Sequence, residues 1–118
     1  MSGPSSLTLA VAASGLNGQS FAFVGYLPQD SAQRTQRLRE LERRSGQWHQ
    51  TQVLIETPYR NAALAQALLA QLAPSTRLSI SSGLTLPHGW SRTLTVDQWR
   101  LQPPQWADKV PAVFCFLA

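Results

Sequence analysis

The alternation of apolar and polar positions divides the chain into helical and extended segments. Leu7 to Ala13 is apolar nearly all round, preceded by Gly3-Pro4-Ser5-Ser6 and followed by Gly15-Leu16. Proline in a first turn, serine hydroxyls that can cap free N–H groups, and a glycine stop with an apolar residue after it predict a helix. A helix apolar on all sides must be buried on several of them, more than a small domain usually manages for its first element. Phe21 to Tyr26 alternates large residues and runs into Leu27-Pro28, which predicts a strand and a loop. Ser31 to Arg44 places Leu38 and Leu41 on one face and arginines on the other, an amphipathic helix expected to end at Gly46.

A strand follows over Gln52–Glu56, centred on Val53-Leu54-Ile55. Leu64, Leu68 and Leu72 then recur at helical spacing over Asn61–Leu72, with Pro74 as the stop. Leu78 and Ile80 alternate with polar residues over Thr76–Ser81, a strand with two unlike faces. Thr93 to Trp99 reads as a strand, or as a strand running into a helical turn, and Pro103-Pro104 breaks the chain. Val110 to Leu117 is apolar on both faces, as a central strand must be. The element order predicts an α/β domain: a mixed, partly antiparallel sheet of about five strands with helices packed on it.

At 118 residues and 43% hydrophobic content the chain is one domain with a single core. Charged residues make up only 14%, well below the ~25% usual for globular domains. Such a chain either has a surface covered by a neighbour or simply favours Ala, Leu, Gln and Arg. The net charge is +4, and Lys109 is the single lysine. Five arginines (Arg34, Arg37, Arg39, Arg43, Arg44) against Glu40 and Glu42 concentrate the excess on the second helix, as a solvated face or an RNA-contacting one. Cys115, alone and in an apolar run, is a small buried hydrophobe that excludes a disulfide framework. No stretch is long and apolar enough to span a membrane, and no signal peptide is legible, so the expected location is the cytoplasm.

Familiar catalytic arrangements are missing. His49 and His88 have no partner at metal-ligand spacing, no metal site is expected, and no paired carboxylates, nucleophile elbow or phosphate loop occurs. Three segments carry possible ligand chemistry. Gly3-Pro4-Ser5-Ser6 offers hydroxyls and free N–H groups, or an ordinary cap. Ile55-Glu56-Thr57-Pro58-Tyr59-Arg60 ends a buried strand, where ligands collect in open α/β sheets. Glu56, Thr57 or Tyr59 can face a pocket there, or Arg60 can pair with Glu56 to fix the loop. Ser81-Ser82-Gly83 also follows a strand, and Gly83 permits a close backbone approach or merely a turn.

Taken in order, Gly3-Pro4-Ser5-Ser6, Ser14-Gly15-Leu16, Phe23-Val24-Gly25-Tyr26-Leu27-Pro28 and Ile55-Glu56-Thr57-Pro58-Tyr59-Arg60 resemble the tetrapyrrole methylase family, nearest its ribosomal RNA small-subunit methyltransferase I group. The resemblance runs over essentially the whole chain. It implies the C-terminal half, residues 1–118, of a two-domain methyltransferase that uses S-adenosyl-L-methionine, with the N-terminal domain absent and the fragment inactive alone. By the same resemblance Ser5, Ser6, Ile55, Glu56, Thr57 and Gly83 lie along the donor cleft, the partners are the N-terminal domain and a second copy in a homodimer, and the acceptor is RNA, a tetrapyrrole or another small molecule. No catalytic residue is assigned. The sequence departs from the ribosomal group at Ser81–Pro87, which lacks that group's acid and lysine, and at Lys109-Val110-Pro111-Ala112. Two other function classes stay open: an RNA-binding module using the Arg34–Arg44 helix, and a structural or dimerisation domain using the Leu7–Leu16 helix.

Overall fold

A computed structural model describes residues 20–56, 60–82, 90–102, 104 and 112–118. The expected helix at residues 3–16 lies outside that set. The five strands are β1 (Phe21–Gly25), β2 (Thr51–Glu56), β3 (Arg77–Ser82), β4 (Trp90–Thr95) and β5 (Ala112–Leu117), and the three helices are α1 (Ser31–Trp48), α2 (Asn61–Gln71) and α3 (Val96–Leu101). Thr93–Trp99 therefore takes the second of its two expected forms, a strand that turns directly into a helix.

The sheet order is β1-β2-β5-β3-β4. β1 and β2 are parallel, and β5 runs antiparallel to both β2 and β3. The parallel strands β1, β2 and β3 thus share one direction, and the chain steps across the sheet the same way through α1 and α2. Crossovers of one handedness that move in one direction put their helices on one face. The packing agrees: Leu38 and Leu41 of α1, Leu64 and Leu68 of α2, and Val96 and Trp99 of α3 join Leu54, Leu78, Ile80, Phe114 and Phe116 in one core. The other face carries a smaller cluster of Val53, Val113, Cys115 and Leu117. Every residue of β5 is buried, because it has a strand on each side and apolar groups on both faces.

Local chemistry fixes the element ends. The Asp30 carboxylate accepts from the Gln33 N–H at 3.0 Å and caps α1. α1 does not stop at Gly46 but continues to Trp48. A glycine inside a helix costs only about 1 kcal/mol relative to alanine, and Ser45, fully buried, extends the inward stripe of Leu38 and Leu41 by another turn. Its hydroxyl accepts from the Ala118 N–H at 2.9 Å, tying the helix to the end of β5. The stop comes at His49, left-handed with φ 51°, whose N–H reaches the Ser45 carbonyl. Thr95 and Gln98 form a reciprocal capping box at the start of α3. From α3, the Arg100 guanidinium donates to the Leu69 carbonyl at 2.9 Å, a cation placed at the carbonyl-rich end of α2. The Trp99 indole N–H, buried with its ring, donates to the Leu78 carbonyl at 2.8 Å.

β1 distributes its residues against size. Val24 packs on the main core, whereas Phe21 and Phe23 lie on the opposite face and are 47% and 54% exposed. The register shifts between Phe23 and Gly25, so one residue bulges from the pairing with β2. Gly25 completes that bulge with φ 83°, a left-handed conformation that favours glycine.

Candidate functional site

Because β1, β2 and β3 share a direction, their carboxyl ends lie along one edge of the sheet, the location where open α/β sheets bind ligands. Strand register makes this edge specific. Glu56 of β2 pairs with Ala112 of β5, Ala112 with Ser82 of β3, and Ser82 with Trp90 of β4, forming one row across four strands. Strand spacing puts Glu56 and Ser82, two strands apart, about 10 Å from each other across the small Ala112. On the opposite face, the next row back is Ile55, Val113, Ser81 and Ser91. Ser81 and Ser91 share a hydrogen bond of 3.0 Å between their hydroxyls.

Ile55 and Glu56 are half-buried, Ser82 and Ala112 almost fully so. A carboxylate accepts hydrogen bonds and a serine hydroxyl both donates and accepts; Ala112 between them is small and apolar, while Ile55 turns to the opposite face and packs on the Val53 and Val113 cluster. Few polar groups set in apolar lining is the usual character of a small-molecule site. Of the residues expected at a ligand site, Ile55 and Glu56 stand at this edge. Gly83 follows Ser82 in sequence and Thr57 follows Glu56, but both lie outside the described residues, as do Tyr59, Ser5 and Ser6. Ala112 was not expected at a ligand site, and Trp90 was expected, with the other tryptophans, as core and rim packing or as an acceptor-stacking residue. Neither carries a local signal, since only strand register sets them beside Ser82.

Burial pushes the Cys115 thiol up from 9.0 to about 12, which makes it inert as a nucleophile. His49 is exposed at the end of α1, and His88 lies outside the described residues. Among the described residues no group of His, Cys, Asp or Glu is placed to hold a metal ion. No described helix is long and apolar enough to cross a membrane.

No family model and no curated protein matches the sequence. Solved structures do. The chain superposes on the methyltransferase CobJ with a TM-score of 0.51 and 15% identity, over 90% of its own length and 45% of that chain. It superposes on uroporphyrin-III C-methyltransferase from Thermus thermophilus with a TM-score of 0.53 and 18% identity, over 95% of its own length and 47% of that chain. A form of that enzyme complexed with S-adenyl homocysteine gives 0.51 and 17%, over 91% and 48%. The chain spans about half the length of these proteins, and at such identities the likeness establishes the fold. The structural neighbours of this chain include the methyltransferase CobJ and uroporphyrin-III C-methyltransferase, and the five-stranded mixed sheet with three helices among the described residues is the fold of about half of such an enzyme.

Proposed function

We propose that this chain is the C-terminal half of an S-adenosyl-L-methionine-dependent methyltransferase and that the carboxyl edge of its sheet forms one wall of the donor cleft. The observation that carries the reading is the row Glu56–Ala112–Ser82, which sets a carboxylate and a hydroxyl on either side of a small residue, at the strand ends where α/β sheets take ligands. The fold shared with methyltransferases, one of them complexed with S-adenyl homocysteine, supports it.

The residues present fit such a donor. Glu56 accepts hydrogen bonds from hydroxyl or amino groups, Ser82 supplies a further polar contact, and the small Ala112 between them leaves room for the ligand. When bound, S-adenosyl-L-methionine supplies a methyl group activated on a sulfonium centre. The chain contributes orientation and exclusion of water, holding the acceptor's nucleophile in line with that methyl group. None of the described residues is placed as an evident general base, so a proton, where one must leave, goes to the second half of the cleft or to a group on the acceptor. The acceptor is RNA, a tetrapyrrole or another small molecule. An N-terminal domain completes the cleft, and the chain alone is inactive.

Calorimetric titration with S-adenosylhomocysteine tests this reading, first with the chain alone and then with the domain that completes the cleft. Heat of binding only in the mixture, weakened at least tenfold by Glu56→Gln at unchanged thermal stability, is the expected result. Association of the two domains without any binding of the ligand refutes it.

A further inference from the structure

We propose that the outer face of α1 is a docking surface for single-stranded RNA. The proposal rests on how α1 is seated and does not depend on the methyltransferase reading. Leu38 and Leu41 face the core. On one flank, Glu42 reaches the loop before β3, accepting from the Ala73 N–H at 2.7 Å and the Thr76 hydroxyl at 2.6 Å. Helical spacing then sends Arg37, Arg44 and Trp48 along the other flank, and Arg39 and Arg43 straight outward.

Along that flank, Arg37 and Arg44 both donate to the same Glu40 oxygen, at 2.9 and 3.1 Å. One carboxylate therefore holds two guanidinium groups side by side and leaves a net positive charge. Each guanidinium has five N–H donors and uses one here, so a pre-positioned pair remains to grip phosphate oxygens. Arg39 and Arg43 are exposed and make no ion pair among the described residues. One turn beyond Arg44, Trp48 is 61% exposed. An indole costs free energy in water unless something covers it, and a base stacked on a tryptophan beside arginines is the usual arrangement for single-stranded nucleic acid. Exposed Gln36 and Gln47 on the same surface offer both donors and acceptors for a ribose 2′-hydroxyl.

A membrane surface fits less well. An amphipathic helix that lies on lipid needs its aliphatic face free, and that of α1 is occupied by the core. A merely solvated basic face explains the arginines but not the exposed indole in line with them.

Fluorescence anisotropy with a labelled 12-nucleotide single-stranded RNA, over a series of salt concentrations, tests the proposal on the whole chain. Binding should weaken steeply with salt. Arg37→Gln with Arg44→Gln should weaken it at least tenfold and lower the slope of log affinity against log salt by about 1.4, the single-strand value for two lost phosphate contacts. Trp48→Ala should weaken it about tenfold with the slope unchanged. Arg92→Gln on β4, which removes one charge from the opposite edge of the sheet, should leave binding as it was. All these positions are on the surface, and unchanged thermal melts confirm that the variants fold. No binding at physiological salt, equal losses from Arg92→Gln and from Arg37→Gln, or equal affinity for a DNA strand of the same sequence overturns the proposal. So does α1-dependent binding to anionic vesicles with none to RNA.

Discussion

Glu40 and Glu42 sit two residues apart on the same helix, and the structure predicts very different consequences for losing each. Glu40 pairs with Arg37 and Arg44 at the surface, with its side chain 47% exposed. Exposed ion pairs of this kind contribute about 0–1 kcal/mol, because water screens the charges and two long side chains lose freedom. Glu42 bridges α1 to residues 31 and 34 positions further along the chain. Its two partners differ. Ala73 is exposed, so its N–H turns to water when the carboxylate is removed. Thr76 is 2% exposed, so its hydroxyl is left buried without its acceptor. That desolvation penalty is about 1–3 kcal/mol, which sets the expected cost of Glu42→Ala near 2 kcal/mol. Glu40→Ala should cost less than about 0.5 kcal/mol. Adding Thr76→Val to Glu42→Ala removes the stranded hydroxyl and should restore about 1 kcal/mol, a coupling that a double-mutant cycle isolates. Urea denaturation followed by tryptophan fluorescence measures all five proteins (the wild type, Glu40→Ala, Glu42→Ala, Thr76→Val and the double variant), with 2 kcal/mol moving the midpoint by about 1 M for a domain of this size. Equal costs for the two glutamates, or no recovery on adding Thr76→Val, would refute the argument that burial of Thr76 decides the difference.

Further outcomes follow from other positions. The Cys115 thiol should resist modification in the folded protein at pH 8 and react only on unfolding, measured by release of a chromogenic thiol reagent with and without denaturant. Its folded pKa lies above 9.0, so the unfolded chain releases this proton first as pH rises; stability should therefore decline between about pH 9 and pH 12, and the Cys115→Ala variant should lose that part of the decline. Gly25→Ala should cost about 1 kcal/mol in thermal or urea melts, through the left-handed backbone rather than through crowding, since the added Cβ meets the Phe23 ring at an ordinary 3.7 Å. Phe114→Ala, at a fully buried position in the central strand, should cost about 3–5 kcal/mol, so circular dichroism should show a chain close to unfolding at 25 °C.

Periodicity along the chain predicted helices α1 and α2 and strands β1, β2, β3 and β5, because burying one face of an element dictates a spacing of 3.6 or 2 whatever the element packs against, and it left Thr93–Trp99 open between two forms. It also determined that β5 is central, since only a strand covered on both faces can be apolar throughout, and that Cys115 is buried in it. The end of α1 was not legible in this way. Gly46 is a helix stop only when the inward stripe also ends, and the hydroxyl of Ser45 is held by Ala118, a residue 73 positions away. Tertiary structure alone decided that β5 inserts between β2 and β3, because strand pairing is a contact between segments distant in sequence and leaves no local trace. The candidate site divides along the same line. Ile55 and Glu56 were visible as the end of a buried strand, but the row that Glu56 forms with Ala112, Ser82 and Trp90 exists only through the register of four strands. The basic character of α1 could be read from composition, whereas its orientation, with Glu42 turned to the β3 loop and Trp48 left in water, required the packed helix.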